Sequence, residues 1–584
     1  MLAPPTAASF ELLEEEEFEK QFRGYRLSTV DRVKDRLRDS SAVFVRDGRA
    51  WFRRRRCIRP TEWWCALGWR WKMRLLALLS LSCFFLGMAH FAPKTGKGGI
   101  SESDKYPRQV ARVKMTEGSI LWFAKYMCTI FAKEPYAVCD GITEQFRDEF
   151  FYVFRQLADE PSRICAALIP GCGDPMDPRG EGWNVPLPPV PKERSKAGSE
   201  AECSDPVCCR SPTTNFYGKV KNSVTAGYWG TAGKCDTPYR TIEHLLHHVN
   251  STEKIDYIMI SGDLVNHADW KYSWAGHIKV GILRFAPHRV DSAFWPTKLY
   301  DELTEMNKPW VRGAEAENSS RYRGSWSTLV TEGLRMISIN TGFCINTNFF
   351  LYLNQSDPDG TMSWFVQELH KAEMNGEFVH VMSHIPPGYS DCLEGWSRNY
   401  YRAVQRFSST ITGQFFGHVH YDYVSLFYED MGNVSSVPIN VAYVSPSVTT
   451  FDYLNPAYRI YTIDAENDFQ ILDHETYWTD LAESNEYRAP RWELLYRARQ
   501  EYGMRDLSPG SWQKVVDSIY ANARGAYDRF FELAFRNRNW ADHCDASCQR
   551  SMLCSLRGAH HNDQLYCPES KLEHMLETNR IERK

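Results

Sequence analysis

Three short apolar runs, each ending in a residue able to ligate a metal, constrain this chain more than any other feature. Ile255-Asp256-Tyr257-Ile258-Met259-Ile260 leads into Ser261-Gly262-Asp263. Phe378-Val379-His380-Val381-Met382 leads into Ser383-His384-Ile385-Pro386-Pro387-Gly388, and Phe415-Phe416 into Gly417-His418-Val419-His420. Runs of this length and composition read as strands. Two histidines at i and i+2 on an extended segment project to the same side. Gly417 lets the backbone turn tightly beside them. One strand-terminal histidine is ordinary polar surface. Three strands ending in Asp, His and His-x-His supply the donors of a two-metal phosphoesterase centre. The candidate metal ligands are therefore Asp263, His384, His418 and His420.

The surrounding sequence alternates helix and strand patterns. Ile242, Leu245, Leu246 and Val249 share one helical face ahead of the first run, and Trp364, Phe365 and Leu369 mark a helix ahead of the second. This alternation predicts an α/β protein whose catalytic domain, over 198–486, is a layered β-sandwich flanked by helices. The proline-rich stretch from Trp183 to Pro191 predicts a semi-rigid linker at 183–194. Before it, Phe146, Phe150, Phe154 and Leu157 recur at helical spacing within 119–172. After the catalytic domain, 487–567 reads as a helical tail carrying Cys544, Cys548, Cys554 and Cys567.

Seventeen cysteines, clustered mainly at 128–235 and 544–567, indicate disulfides made in an oxidising compartment. Sequons at Asn250, Asn318, Asn354 and Asn433 offer glycosylation sites that agree with this. Arg70, Lys72 and Arg74 precede an apolar run to Ala89, so 73–90 reads as a signal peptide or signal anchor. Residues 1–72 carry a Glu14–Glu17 run and an Arg53–Arg56 run without a packed-domain pattern. They read as a disordered leader, or as sequence upstream of a true start at Met73. Together these features predict a secreted or lysosomal protein. A net charge of −4 gives no electrostatic case for a nucleic-acid partner.

Further motifs carry a family resemblance. Ala226-Gly227-Tyr228-Trp229-Gly230, Gly262-Asp263 with His267, His384-Ile385-Pro386-Pro387-Gly388, Asn399-Tyr400-Tyr401-Arg402, Gln414-Phe415-Phe416-Gly417-His418 and Asn455-Pro456-Ala457-Tyr458-Arg459 resemble the acid sphingomyelinases among the calcineurin-like metallophosphoesterases. The resemblance runs from about 119 to about 567. It implies sphingomyelin, in membranes or lipoproteins, as substrate and two zinc ions as cofactor. It also implies a monomer that reaches the membrane surface through a partial, all-α saposin-type module at 119–172. Asp263 would be the carboxylate shared by both metals, with His384 and His418 on one and His420 on the other. His267 would be the catalytic acid that protonates the leaving oxygen. The implied disulfides join Cys203 to Cys208, Cys209 to Cys235, Cys344 to Cys392, Cys544 to Cys548 and Cys554 to Cys567. Cys128 and Cys139 resemble two further saposin positions.

Two elements of that pattern are missing. The sequence contains no Asp-x-His, which opens the family's catalytic domain, and no Gly-Asn-His-Glu, whose Asn binds the second metal. One metal would keep Asp263, His384 and His418, and the other only Asp263 and His420, too few for a stable zinc site. His277, His288 and Asn307 end no apolar strand and make poor substitutes. The expected activity is thus sphingomyelin hydrolysis to ceramide and phosphocholine, with at most one well-liganded zinc and an inactive form as one outcome. Hydrolysis of nucleotide-like soluble phosphodiesters and non-catalytic lipid binding are the competing functions.

Overall fold

The structure, a computed structural model, describes residues 117–129, 136–157, 183, 185–187, 227–233, 235–263, 285–433, 435–536 and 540–561. The expectations for 1–90, for His267 and His277, and for Cys203, Cys208, Cys209 and Cys567 lie outside the described residues. Among the described residues no helix is long and apolar enough to cross a membrane.

Three short helices come first: α1 (Glu117–Met127), α2 (Tyr136–Gln145) and α3 (Arg147–Leu157). Ile120, Leu121 and Ala124 of α1 bury against Phe151 of α3, and the Cys128–Cys139 disulfide ties α1 to α2. The buried face of α3 holds Phe151, Val153 and Leu157. It is thus rotated from the expected phenylalanine stripe, because Phe146 and Phe150 instead meet Phe349 edge-on. Tyr152 likewise packs on Phe294 and Phe350, so the helices dock on the larger body.

That body is built on α4 (Tyr239–Thr252), α5 (Thr297–Asn307), α6 (Ala314–Arg323), β1 (Trp326–Thr331), β2 (Leu334–Ile339), α7 (Thr361–Met374), β3 (Phe378–Ser383), α8 (Glu394–Arg406), β4 (Ile411–Phe416), β5 (Tyr423–Tyr428) and β6 (Pro438–Val444). Its six strands form one mixed sheet, ordered β1-β2-β3-β4-β6-β5. The β2, β3, β4 and β6 strands run parallel, and the β1–β2 and β5–β6 pairs are antiparallel. Central parallel strands are covered on both faces, so β3, β4 and β6 are buried along most of their length. On one face α7 and α8 interlock through a stack of Phe365, Tyr400 and Trp396, with successive ring centroids 5.4 Å apart.

A second, antiparallel sheet consists of β7 (Arg459–Ile463), β8 (Ile471–Trp478) and β9 (Glu493–Arg497). Phe415 and Tyr443 of the first sheet pack on Tyr461 and His474 of the second, giving the layered sandwich. Helix α4 closes the outer layer with Ile242, Leu245, Leu246 and Val249 against Tyr458 and Trp492. Helices α9 (Pro509–Tyr520), α10 (Ala526–Phe535) and α11 (Ala546–Arg557) follow. Trp512 of α9 reaches Tyr443, and Ser425 of β5 donates to the Ser555 carbonyl of α11.

Two expectations fail here. The tail is not wholly helical, since 493–497 pairs with β8. Leu494, Leu495 and Tyr496 satisfy a helical or a strand period equally over so short a window. The run 255–260 is extended but joins no ladder among the described residues. Its apolar side chains still find both cores: Met259 packs on the large one, and Ile255, Ile258 and Ile260 pack beneath α4.

Candidate metal centre

Strands β3 and β4 are parallel neighbours, so the chain leaves both at the same edge of the sheet. His384 follows β3, Gly417-His418 follows β4, and Gly417 N donates to the His384 carbonyl at 3.0 Å. A Cβ at 417 would fall 2.5 Å from Ser261 Oγ, so a larger residue there must turn that hydroxyl aside. The His-x-His segment is not extended, contrary to the expectation. His418 and His420 both take left-handed backbone, with φ of 68° and 66°. Such φ values are uncommon for residues with a Cβ. The two rings do not share one side: His420 Nε2 reaches an Asp263 oxygen, whereas His418 Nδ1 reaches His384 Nε2.

That carboxylate is Asp263, itself at φ 60° after Gly262 at φ 118°. Its Oδ1 lies 3.6 Å from His384 Nε2 and its Oδ2 3.4 Å from His420 Nε2. His418 Nδ1 is 3.2 Å from His384 Nε2. Donor atoms of Asp263, His384 and His418 all lie within 4.8 Å of one another. Ligands about 2.0–2.1 Å from one tetrahedral ion are separated by roughly 3.3 Å. The His384–His418 and His384–Asp263 separations bracket that edge, so this donor set fits a single metal. His420 stands on the opposite oxygen, where no third donor joins it among the described residues.

Polar partners prepare the rings for ligation. His384 Nδ1 donates to the Ser261 carbonyl at 3.0 Å, which turns Nε2, the ring's lone-pair nitrogen, towards Asp263 and His418. His418 Nε2 donates to Asp391 Oδ2 at 2.9 Å, which leaves Nδ1 bare. The segment carrying Asp263 is held from within by β3. Tyr257 OH donates to His380 Nδ1 at 2.7 Å, and His380 Nε2 donates to the Phe469 carbonyl at 2.9 Å. Burial pushes the His380 imidazole down to about 4, so it bridges the two as a neutral ring. The His420 loop is held from the other direction. Its carbonyl accepts from Arg536 Nη1 at 2.8 Å, and Asp422, two residues on, pairs with Arg459 and accepts from Tyr496 OH. Most of these supporting residues lie in or beside a motif, Ser261, Tyr257 and His380 within the runs themselves and Asp391 and Asp422 a few positions beyond, but no spacing rule marks their roles; Arg536 lies far from every motif.

The other named residues are scattered. His288 donates to the Tyr322 carbonyl at 2.7 Å and stacks on that ring, and Asn307 ends α5, so neither belongs to the cluster. Cys128–Cys139, Cys344–Cys392 and Cys544–Cys548 are disulfides, and Cys235 and Cys554 are also disulfide-bonded. Asn250, Asn318 and Asn433 are exposed and Asn354 is half-buried.

Known proteins account for both halves of this arrangement. Residues 203–422 match the calcineurin-like phosphoesterase family, which implies a metal centre, and 437–572 match the acid sphingomyelin phosphodiesterase C-terminal region. Sphingomyelin phosphodiesterase 1 of Caenorhabditis elegans is 49% identical over 514 residues, covering 78% of this chain and 89% of that protein. The human sphingomyelin phosphodiesterase is 32% identical over 503 residues, 76% of this chain and 78% of its own. A cyclic GMP-AMP phosphodiesterase of Bos taurus is 26% identical, covering 67% of this chain and 94% of that protein. Each aligned length exceeds the part of this 584-residue chain that it covers, so these relatives carry internal segments with no counterpart here. The extent of these matches and the two consecutive family regions show that the chain belongs to the acid sphingomyelinase family of calcineurin-like phosphoesterases.

Proposed function

We propose that the chain is a sphingomyelin phosphodiesterase, hydrolysing sphingomyelin to ceramide and phosphocholine at a zinc centre held by Asp263, His384 and His418. The observation that carries this reading is the convergence of those three donor sets at the edge of β3 and β4, with His420 on the second oxygen of Asp263. A carboxylate and two imidazoles suit zinc, which when bound supplies a hydroxide nucleophile near neutral pH and neutralises phosphoryl charge. The chain's own residues do the rest. Ser261 fixes which nitrogen the His384 imidazole presents, and the backbone of Gly417 keeps the two loops in register. Water adds its oxygen to phosphorus and releases one proton to the solvent as the bond to the ceramide oxygen breaks, and His267, as an imidazolium, passes its own proton to that departing oxygen. The imidazole then regains a proton from the solvent.

Lacking Asp-x-His and Gly-Asn-His-Glu, the chain holds one zinc tightly and turns over slowly relative to a two-zinc relative. A lipid substrate is favoured over a soluble one by the three amino-terminal helices, where Trp122, Tyr126 and Tyr136 are exposed aromatic side chains. Exposed aromatics of this kind suit a membrane interface. The disulfides support a secreted or lysosomal site of action. Metal-free protein reloaded with zinc should release phosphocholine from sphingomyelin vesicles, and His267→Ala should slow that release about 10²–10⁴-fold with zinc content unchanged. Preference for a cyclic dinucleotide over sphingomyelin would favour the soluble-substrate reading. Zinc-free protein that binds vesicles without turnover would favour a non-catalytic lipid-binding role.

A further inference from the structure

Asp391 lies outside the strand-terminal motifs, yet it makes a direct contact with one of the candidate ligands. Its Oδ2 accepts from His418 Nε2 at 2.9 Å, and both side chains are mostly buried, at 15% and 12% exposure. The opposite ring nitrogen, Nδ1, faces His384 and the cluster. Both nitrogens of His418 are thus engaged, which fixes the ring orientation. A neutral imidazole carries one N–H, so an acceptor on Nε2 leaves the Nδ1 lone pair for a metal. Tyr389, from the same loop, closes on the His418 ring edge-on with centroids 5.4 Å apart.

The loop that presents Asp391 is stapled in place. Cys392 is disulfide-bonded to Cys344 and bridges Ile345. Asn346 N donates to the Asp391 carbonyl at 2.9 Å, Asn346 Nδ2 to the Ser390 carbonyl at 2.9 Å, and Leu393 N to the Cys344 carbonyl at 2.8 Å. A surface carboxylate that merely paired with a nearby histidine would need no such scaffold.

We propose that Asp391 is a positioning residue for the metal centre: it holds His418 as the Nε2–H tautomer with Nδ1 directed at Asp263 and His384, and the Cys344–Cys392 disulfide fixes Asp391 for that purpose. This rests on the zinc centre proposed above. The test uses the full chain, stripped of metal, with Asp391→Asn, Asp391→Glu and His384→Ala beside the wild type. Zinc affinity is read by competition with a chromophoric chelator, and the His418 tautomer by ¹⁵N chemical shifts of the metal-free protein. Asp391→Asn should weaken zinc about 10–100-fold, and Asp391→Glu should recover part of that. The wild-type His418 should show a protonated Nε2 and a bare Nδ1, a signature that the Asn variant loses and that a purely structural role would not move. Equal zinc affinity in wild type and Asp391→Asn, or a His418 tautomer indifferent to residue 391, would overturn this inference and leave the zinc centre standing. Wild-type protein that binds zinc no better than His384→Ala would overturn the zinc centre and this inference with it.

Discussion

Side chains that the centre does not use still set how the protein responds to pH. Asp359 sits just ahead of α7, where it accepts from Thr361 N at 3.1 Å and Thr361 Oγ1 at 2.7 Å. Burial pushes its carboxyl up to about 6, against the lowering pull of the Thr361 bonds and Arg323 and with a small push from Asp357. A carboxyl raised in the folded state contributes stability that is complete below its unfolded value near 4 and is lost as pH rises through about 6. Asp359→Asn removes that dependence. The variant's stability relative to wild type should therefore grow by about 3 kcal/mol between pH 4 and pH 7. Urea unfolding midpoints across that range check this, and a difference that does not change with pH would refute it. At this scale the sequence was informative where chemistry and pattern coincide. Asp263, His384, His418 and His420 stood out because each follows an apolar run. Asp391, Tyr257 and Arg536 did not, since their roles depend on a disulfide, a buried histidine and a carbonyl reached across 116 positions of chain.

Elements meet the centre through loops that other elements clamp. The loop after β3 is pressed by the end of α11: a Cβ on Gly388 would meet the Gly558 carbonyl oxygen at 2.1 Å and Ala559 backbone at 3.0 Å. Both obstacles are backbone, so Gly388→Ala must part the tail from the loop. It should cost about 1–3 kcal/mol of stability and weaken zinc binding as well, measured by chemical unfolding and chelator competition. An unchanged affinity would mean that the tail is irrelevant to the centre. The Cys344–Cys392 staple holds the same loop, and its closure spans 48 residues. Replacing both cysteines by serine should destabilise the fold by about 2–4 kcal/mol and lower zinc affinity in parallel with Asp391→Asn; a stability loss without an affinity loss would separate the staple from the metal. Element types were legible where periodicity was long, as in α4 and α7. They are not legible where a strand's identity rests on its partner. The 255–260 run has strand chemistry without a ladder, and 493–497 becomes a strand because β8 offers an edge.

Across the whole molecule, the sandwich brings residues more than 120 positions from Asp263 onto its carboxylate, with Asp263 between His384 and His420. The α/β class followed from alternating helix and strand patterns. The docking of the amino-terminal helices on Phe349 and Phe350, and of the tail on β5 and β6, did not, because such contacts leave no periodic trace. The central claim is that this chain builds one tight zinc site from Asp263, His384 and His418, with His420 left on an incomplete second site. Zinc per chain, measured by mass spectrometry after stripping, reloading and exhaustive dialysis, tests it most directly. The account predicts one equivalent in the wild type, close to none in His384→Ala or His418→Ala, and one still present in His420→Ala. Two tightly held equivalents in the wild type, or one that survives His384→Ala and His418→Ala, would contradict it.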